Sequence, residues 1–184
     1  MLAMILPGNG NADVRDIWIP SVKEKLEKEG VHVIAKNMPD AELARKKYWL
    51  PFIEKNVGDE NAVLIGHSSG AVAAMRYAER HKVQGLVLVC ACHTDLGLES
   101  EKLSGYFDEQ WQWEKIKSNA QWIIQFASTN DPFINIEEAR FIHKKLNSDY
   151  HENDHYGHYN NVTEFPEMVG AILKKVEHVS AQKN

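Results

Sequence analysis

The chain has 184 residues, of which 43% are apolar and 26% charged, with 11 Gly and 6 Pro. This length and composition predict one folded domain over residues 1–184 and exclude a disordered or repetitive chain. The formal charge of −5, from 21 Lys and Arg against 26 Asp and Glu, argues against nucleic acid as the main partner.

Apolar runs of strand length alternate with segments of helical period along the whole chain. The predicted strands are Ala3 to Leu6, Val31 to Ala35, Ala62 to Ile65, Leu86 to Ala91, Trp122 to Ala127 and Asp149 to Asn153. The predicted helices are Val14 to Glu29, Ala41 to Lys55, Ser69 to Arg80, Ile136 to Leu146 and Glu164 to Val176. This alternation is typical of βαβ units and predicts an α/β fold with a mostly parallel sheet of about six strands.

The first strand lies in the opening segment MLAMILPGNG, where a short apolar run ends at Pro7. No basic residues precede this run and no small-residue cleavage site follows it, so we expect no signal peptide. No other stretch approaches the length of a membrane span, and we therefore expect no membrane partner.

The loop after the first strand contains the glycines Gly8 and Gly10, and a G-x-G between a strand and a helix can bind phosphate. Asp13 stands where the third glycine of a dinucleotide fingerprint would be, and its charge would repel a pyrophosphate. We therefore favour another role, in which the glycines let the backbone N–H of Asn9 point inward.

The third predicted strand is followed by the stretch GHSSG at residues 66–70 and then by an alanine-rich helix. This strand, turn and helix are the context of a G-x-S-x-G nucleophile elbow, which holds the serine at the apex above the carboxyl edge of the sheet. We predict that Ser68 is a nucleophile, whereas the rival interpretation is a Gly/Ser turn without chemistry. The backbone N–H groups of Ser69 and Asn9 are the predicted donors to an oxyanion.

The fourth predicted strand contains Cys90 and Cys92, which strand alternation places on one face as buried thiols. A reduced, cytoplasmic protein is the expectation that follows. The long connection after this strand contains GYFDEQWQWEKIK, whose aromatic residues suggest a short cap helix. The predicted substrate pocket consists of aromatic side chains from this connection and the loop after the fifth strand: Tyr106, Phe107, Trp111, Trp113 and Phe133. Ordinary packing is the alternative for each of them.

A serine nucleophile needs a histidine base and an acid that orients it, which follow the serine in chain order in this fold class. Asp131 comes just after the fifth strand, and His158 follows the last strand. His155 competes with His158 as the base, His93 precedes the acid, and His67, one residue before the apex, is expected to point away from the site. The alternative acids are Asp95, Asp108 and Asp154.

The spacing of His151, His155 and His158 near Asp154 permits a metal site only if this segment is helical. It follows a strand and contains Asn153 and Gly157, so we predict no metal and no organic cofactor.

Several long stretches resemble the retinoblastoma-binding protein 9 family of small serine hydrolases, nearly end to end. The resemblance is carried by PGNG, AKNMPD, WLPF, IGHSSGA, AAMRYAE, SGYF, WQWEKIK, QFASTNDPF and the GH at 157 and 158. It implies an α/β-hydrolase-like three-layer sandwich with a minimal cap. It also implies a catalytic triad of Ser68, Asp131 and His158, which favours His158 over His155.

The chain departs from that family at three places. Asn130 replaces the first of two adjacent aspartates, and the loop after PGNG reads NAD where the family has more glycine. One member carries an L-x-C-x-E segment that binds the retinoblastoma pocket, but residues 56–60 here read NVGDE. We therefore do not expect retinoblastoma-type pocket binding.

The residues and the resemblance together predict a serine hydrolase that cleaves a small-molecule carboxylic ester, thioester or amide through an acyl-enzyme on Ser68. The alternative hypothesis is a catalytically silent protein-binding module on a hydrolase scaffold.

Overall fold

The structure, a computed structural model, describes residues 1–58 and 61–181, so Asp59 and Glu60 of the NVGDE segment lie outside the described residues. Its centre is one sheet of six parallel strands in the order β2-β1-β3-β4-β5-β6. The strands are β1 Leu2–Leu6, β2 His32–Ala35, β3 Val63–His67, β4 Val83–Val89, β5 Ala120–Ser128 and β6 Asp149–Asn153. The predicted parallel α/β architecture is confirmed.

Burial explains why these segments form strands. Every residue of β1 and β3 is buried, and all but one residue of β4 and of β5, as expected for parallel strands covered on both faces. The edge strand β6 is polar and mostly exposed. The core therefore lies on the four central strands.

Seven helices accompany the sheet in the described part of the chain. They are α1 Ile19–Lys28, α2 Lys46–Val57, α3 Ser69–Ala78, α4 Glu99–Ser104, α5 Trp113–Asn119, α6 Ile136–Leu146 and α7 Pro166–Ala181. Helix α1 packs against α7, whereas α2, α3, α5 and α6 pack in series as a second group. The two groups cover the sheet and complete a three-layer sandwich.

Two helices start five residues later than the sequence predicts, and α7 starts two residues later, at Pro166. Helix α1 begins at Ile19 rather than Val14, with Pro20 in its first turn, where a proline has no N–H to lose. Helix α2 begins at Lys46 rather than Ala41, because Ala44 has a positive φ of 51° that no helix accommodates.

The long connection between β4 and β5 holds two short helices, α4 and α5. Helix α4 was not predicted, and α5 starts only at Trp113, so residues 105–112 of the aromatic stretch are not helical.

The strand register aligns the carboxyl ends that matter for a site. Leu6 of β1 pairs with Gly66 of β3, His67 with Val89 of β4, and Val89 with Phe126 of β5. The loops that follow β1, β3, β5 and β6 therefore open at the same edge of the sheet.

Candidate active site

Ser68 lies at the turn between β3 and α3 with φ 54° and ψ −119°, a conformation that L side chains rarely adopt. The flanking glycines let the strand and helix approach this closely. A Cβ on Gly66 would lie 2.4 Å from the carbonyl oxygen of Gly70, and a Cβ on Gly70 would lie 2.2 Å from the carbonyl oxygen of Leu6. Ser68 is half-buried and lines a cavity at the carboxyl edge of the sheet.

Asp131 and His158 form a buried pair beside this turn. Asp131 Oδ2 lies 2.7 Å from His158 Nδ1, and the side chains are 3% and 9% exposed. Asp131 Oδ1 accepts hydrogen bonds from the backbone N–H groups of Phe133, at 2.9 Å, and Ile134, at 3.1 Å. Burial by itself would raise the pKa of Asp131, but the hydrogen bonds from His158 and from the two amides outweigh it and lower the pKa below its ordinary value.

The loops that carry Asp131 and His158 are tied together by polar side chains. Ser128 Oγ donates to Asn130 Oδ1 at 2.6 Å and is 2.7 Å from Asn153 Oδ1. Asn130 Oδ1 also accepts from the N–H of Gly157 at 2.8 Å, and Gly157 has a positive φ of 54°. The amide of Asn130, where the resembling family has an aspartate, thus joins the acid loop to the histidine loop.

His67 lines the cavity, although the sequence predicts that it points away. Its Nε2 lies 2.8 Å from the carbonyl oxygen of His158, so this nitrogen carries the proton and donates it. The rings of His67 and His158 are 4.9 Å apart between centroids. Burial, and then the neighbouring His158, lower the pKa of His67 to about 4, which keeps its imidazole neutral near pH 7. The G-x-S-x-G motif does not predict that His67 lines the cavity, because the residue before the serine is free to vary in this motif.

The two predicted oxyanion donors, Asn9 and Ser69, line the same cavity as Ser68. Among the described residues, the backbone N–H of Asn9 makes no backbone hydrogen bond in its loop, and Ser69 is the first residue of α3, where the N–H has no partner within the helix. A Cβ on Gly8 would lie 3.4 Å from Ser68 Cβ, which shows how closely the loop after β1 approaches the serine. Both N–H groups are therefore available to a ligand.

The cavity has a volume of about 410 Å³. Among the five aromatic residues predicted to form the substrate pocket, Phe133 lines it and is 63% exposed. Further apolar lining comes from Ile17, Leu96, Leu98 and Ile134, and the charged side chains that line it are Asp13, Asp16 and Glu101.

The other four predicted pocket residues do not line this cavity. Tyr106 is fully buried, and Phe107 contacts the Trp111 ring edge-on. Trp111 stacks on Trp113 with 5.3 Å between ring centroids, and Trp111 Nε1 donates to the carbonyl oxygen of His93 at 2.8 Å. These aromatics pack the long connection against the body of the protein.

The rival histidines and acids lie apart from Ser68. His155 is exposed and pairs with Asp154, whereas His93 pairs with Glu138 at 2.7 Å. Neither Asp95 nor Asp108 lines the cavity that contains Ser68.

Within residues 1–58 and 61–181, one group of three side chains could supply metal ligands, namely His67, Cys90 and His158, whose ligand atoms lie within 4.8 Å of one another. Nε2 of His67 and Nδ1 of His158 already have hydrogen-bond partners. His151 and His155, whose spacing is compatible with a metal site but whose sequence context disfavours one, do not belong to this group. His151 stacks on Phe126 with 4.7 Å between ring centroids.

The helices in the described part of the chain include none whose length and apolar character suit a membrane span.

The sequence of this chain is similar to those of known proteins along most of its length. The profile of the serine hydrolase family matches residues 3–171. Serine hydrolase RBBP9 of Rattus norvegicus is 48% identical over 173 residues, which covers 92% of each chain. The putative hydrolase YdeN of Bacillus subtilis is 27% identical over 151 residues, which covers 77% of each.

Solved structures show the same fold. The crystal structure of the ydeN gene product from B. subtilis matches with a TM-score of 0.86 and 23% identity, covering 96% of this chain and 98% of that one. Est1E from Butyrivibrio proteoclasticus, solved with ferulic acid bound, matches with a TM-score of 0.74 and 14% identity, covering 98% of this chain and 88% of that one.

Proposed function

Because the chain belongs to the serine hydrolase family and has the α/β-hydrolase fold, we propose that it cleaves carboxylic esters, thioesters or amides through an acyl-enzyme on Ser68. One observation carries the proposal: the buried Asp131–His158 pair, at 2.7 Å, opens onto the cavity that Ser68 lines. A serine hydroxyl is a weak nucleophile unless a base can accept its proton, and the imidazole of His158 supplies that base.

In the proposed mechanism His158 Nε2 accepts the Ser68 proton as Ser68 Oγ attacks the substrate carbonyl. Asp131 accepts the hydrogen bond from Nδ1–H, which fixes the tautomer and stabilises the imidazolium that forms. His158 then protonates the leaving group, and a water molecule activated by the same imidazole hydrolyses the acyl-enzyme. Among the described residues, the hydrogen bonds of His158 are made with Asp131 and His67 and none with Ser68 Oγ, and a bond between a nucleophile and its base commonly tightens only when substrate binds.

The negative charge on the carbonyl oxygen is stabilised, in this proposal, by the backbone N–H groups of Asn9 and Ser69. Both residues line the same cavity as Ser68. One such donor is worth about a hundredfold to a thousandfold in rate. For the substrate pocket, the lining supports Phe133 together with Leu96, Leu98 and Ile134 rather than the aromatics of the long connection.

The experiment that tests the proposal is labelling with a fluorophosphonate probe, followed by peptide mapping. We expect the wild type to be modified at Ser68, Ser68→Ala to remain unlabelled, and His158→Ala to react at least about a hundredfold more slowly because it lacks the general base. Ser118→Ala, which removes an exposed serine on α5, is the matched control and should label like the wild type.

A folded wild-type protein that stays unlabelled would contradict the proposed chemistry. It would instead favour the alternative, a catalytically silent protein-binding module on a hydrolase scaffold.

A further inference from the structure

Helix α4 brings a carboxylate to the loop that carries the proposed oxyanion donor. Asn9 Nδ2 donates a hydrogen bond to Glu101 Oε1 at 2.8 Å, although the two residues are 92 positions apart in the chain. Both side chains line the cavity beside Ser68. The contact therefore joins the long connection to the loop after β1 within the site itself.

Glu101 is an unusual side chain for a short surface helix, because it is only 8% exposed. A carboxylate taken out of water is unfavourable unless it is hydrogen-bonded. In the described part of the chain, the Asn9 amide is the hydrogen-bond donor that the structure gives to this carboxylate. Burial raises the pKa of Glu101, and the Asn9 hydrogen bond acts in the opposite direction.

The loop around Asn9 needs such a contact because its backbone is intrinsically permissive. Gly8 and Gly10 flank Asn9, and Gly10 has a positive φ of 66°. Beyond Asn9 two backbone hydrogen bonds hold the loop. The N–H of Gly10 donates to the carbonyl oxygen of Glu42, and the N–H of Asn11 donates to the carbonyl oxygen of Ala41, both at 3.1 Å. The Asn9 side chain is the anchor on the cavity side.

We propose that Glu101 is a positioning residue for catalysis, which holds Asn9 so that its backbone N–H points at the oxyanion. This inference rests on the proposed function. A donor that is displaced by about 1 Å can cost about a hundredfold in rate, so a single side-chain contact is enough to matter. The effect belongs to the transition state, because the oxyanion forms only there.

The test is a double-mutant cycle on Asn9 and Glu101, measured as Ser68-dependent hydrolysis of p-nitrophenyl acetate. We expect Glu101→Ala and Asn9→Ala each to lower kcat about 10- to 100-fold with KM nearly unchanged. The double variant should lose no more than the worse single variant, because both changes break the same contact. Inhibition by phenylboronic acid, whose boron becomes tetrahedral on Ser68 Oγ, should weaken in parallel with kcat.

Two further variants separate positioning from packing. Glu101→Gln keeps an oxygen acceptor in the same place and should retain kcat within about threefold, since the Asn9 hydrogen bond survives. Glu99→Ala, an exposed acid two residues earlier on α4, should behave like the wild type.

Independent losses that multiply in the double variant would overturn the proposal, and so would a rise in KM with unchanged kcat. A wild-type rate no higher than that of Ser68→Ala would instead contradict the proposed function itself, and with it the role of Glu101.

Discussion

At the scale of single residues, the site depends on a serine held in a backbone conformation that costs energy. A non-glycine residue in such a region is strained by about 1 to 3 kcal/mol. Ser68 remains there because Gly66 and Gly70 let α3 pack directly on β1 and β3, where any Cβ would meet backbone atoms. The strain is the consequence of exposing a hydroxyl at the apex of a tight turn.

Replacing Ser68 by glycine should therefore raise stability relative to Ser68→Ala. Glycine adopts φ 54° without strain, whereas alanine keeps the Cβ that causes it. After the larger loss of backbone entropy is subtracted, we expect Ser68→Gly to exceed Ser68→Ala by about 1 kcal/mol in the free energy of unfolding.

Urea denaturation of the two inactive variants measures this difference directly. An alanine variant that is as stable as the glycine variant would show that the elbow is not strained.

At the scale of elements, α3 organises the long connection between β4 and β5. Arg76, which is 2% exposed, donates to the carbonyl oxygens of Tyr106, at 2.8 Å, and Glu109, at 2.7 Å. It also pairs with Glu79 at 2.8 Å and lies 3.6 Å from the centre of the Trp111 ring. One buried guanidinium thus fixes the non-helical segment 105–112 on the surface of α3.

Removal of this guanidinium should destabilise the protein strongly. Arg76→Ala leaves Glu79 buried without its cation, and breaking a buried pair in this way costs about 3 to 5 kcal/mol. Guanidinium chloride denaturation gives the value, and Arg80→Ala, an exposed arginine four residues later, should change stability by less than about 0.5 kcal/mol.

If Arg76→Ala proved as stable as Arg80→Ala, the segment 105–112 would have to be held by its aromatic packing alone.

The sequence predicts most of the strands and helices but not all of their bounds. The sheet is predictable because parallel buried strands appear as apolar runs, and the predicted bounds of α6 and β6 coincide with those of the structure. The sequence pattern places the start of α1 five residues too early, although Pro20 marks its first turn. The non-helical conformation of residues 105–112 could not be predicted. The alanine-rich sequence of α3 does not reveal that Arg76 binds carbonyl groups about 30 residues later in the chain.

The candidate site likewise contains residues that the sequence predicts and residues that it does not. Ser68, Asp131 and His158 can be selected from their motif, their chain order and their position after strands, and the structure brings all three to one edge of the sheet. The places of His67 and Glu101 beside the cavity could not be predicted, because their contacts there are with residues 91 and 92 positions away in the chain.

At the scale of the whole molecule, the site couples folding to protonation through His67. This residue is buried, and its pKa is lowered to about 4, against an ordinary value near 6.5 in an unfolded chain. As the pH falls below about 6.5, the unfolded state takes up a proton that the folded state refuses. Stability contributed by neutral His67 is therefore complete near pH 7 and is lost as the pH falls toward about 4.

Urea unfolding at pH 7 and pH 4.5 should reveal this dependence. His67→Gln does not titrate and keeps an amide that can donate to the His158 carbonyl, so we expect its stability to fall by about 2 kcal/mol less than that of the wild type over this range. Other titrating groups are common to both proteins and cancel in the comparison.

Equal losses of stability in the wild type and in His67→Gln would show that His67 is protonated as readily in the folded protein as in the unfolded chain.

The polar character of β6 has a consequence for the behaviour of the protein at high concentration. An edge strand offers unpaired backbone groups to any other strand, and charged side chains along it discourage such pairing. Residues 149–153 read DYHEN, and Asp149 and Glu152 are held at this edge by ion pairs with Lys175 and Arg140. At this edge the sheet therefore ends in a strand whose charged side chains discourage a strand of a neighbouring molecule from pairing beside β6.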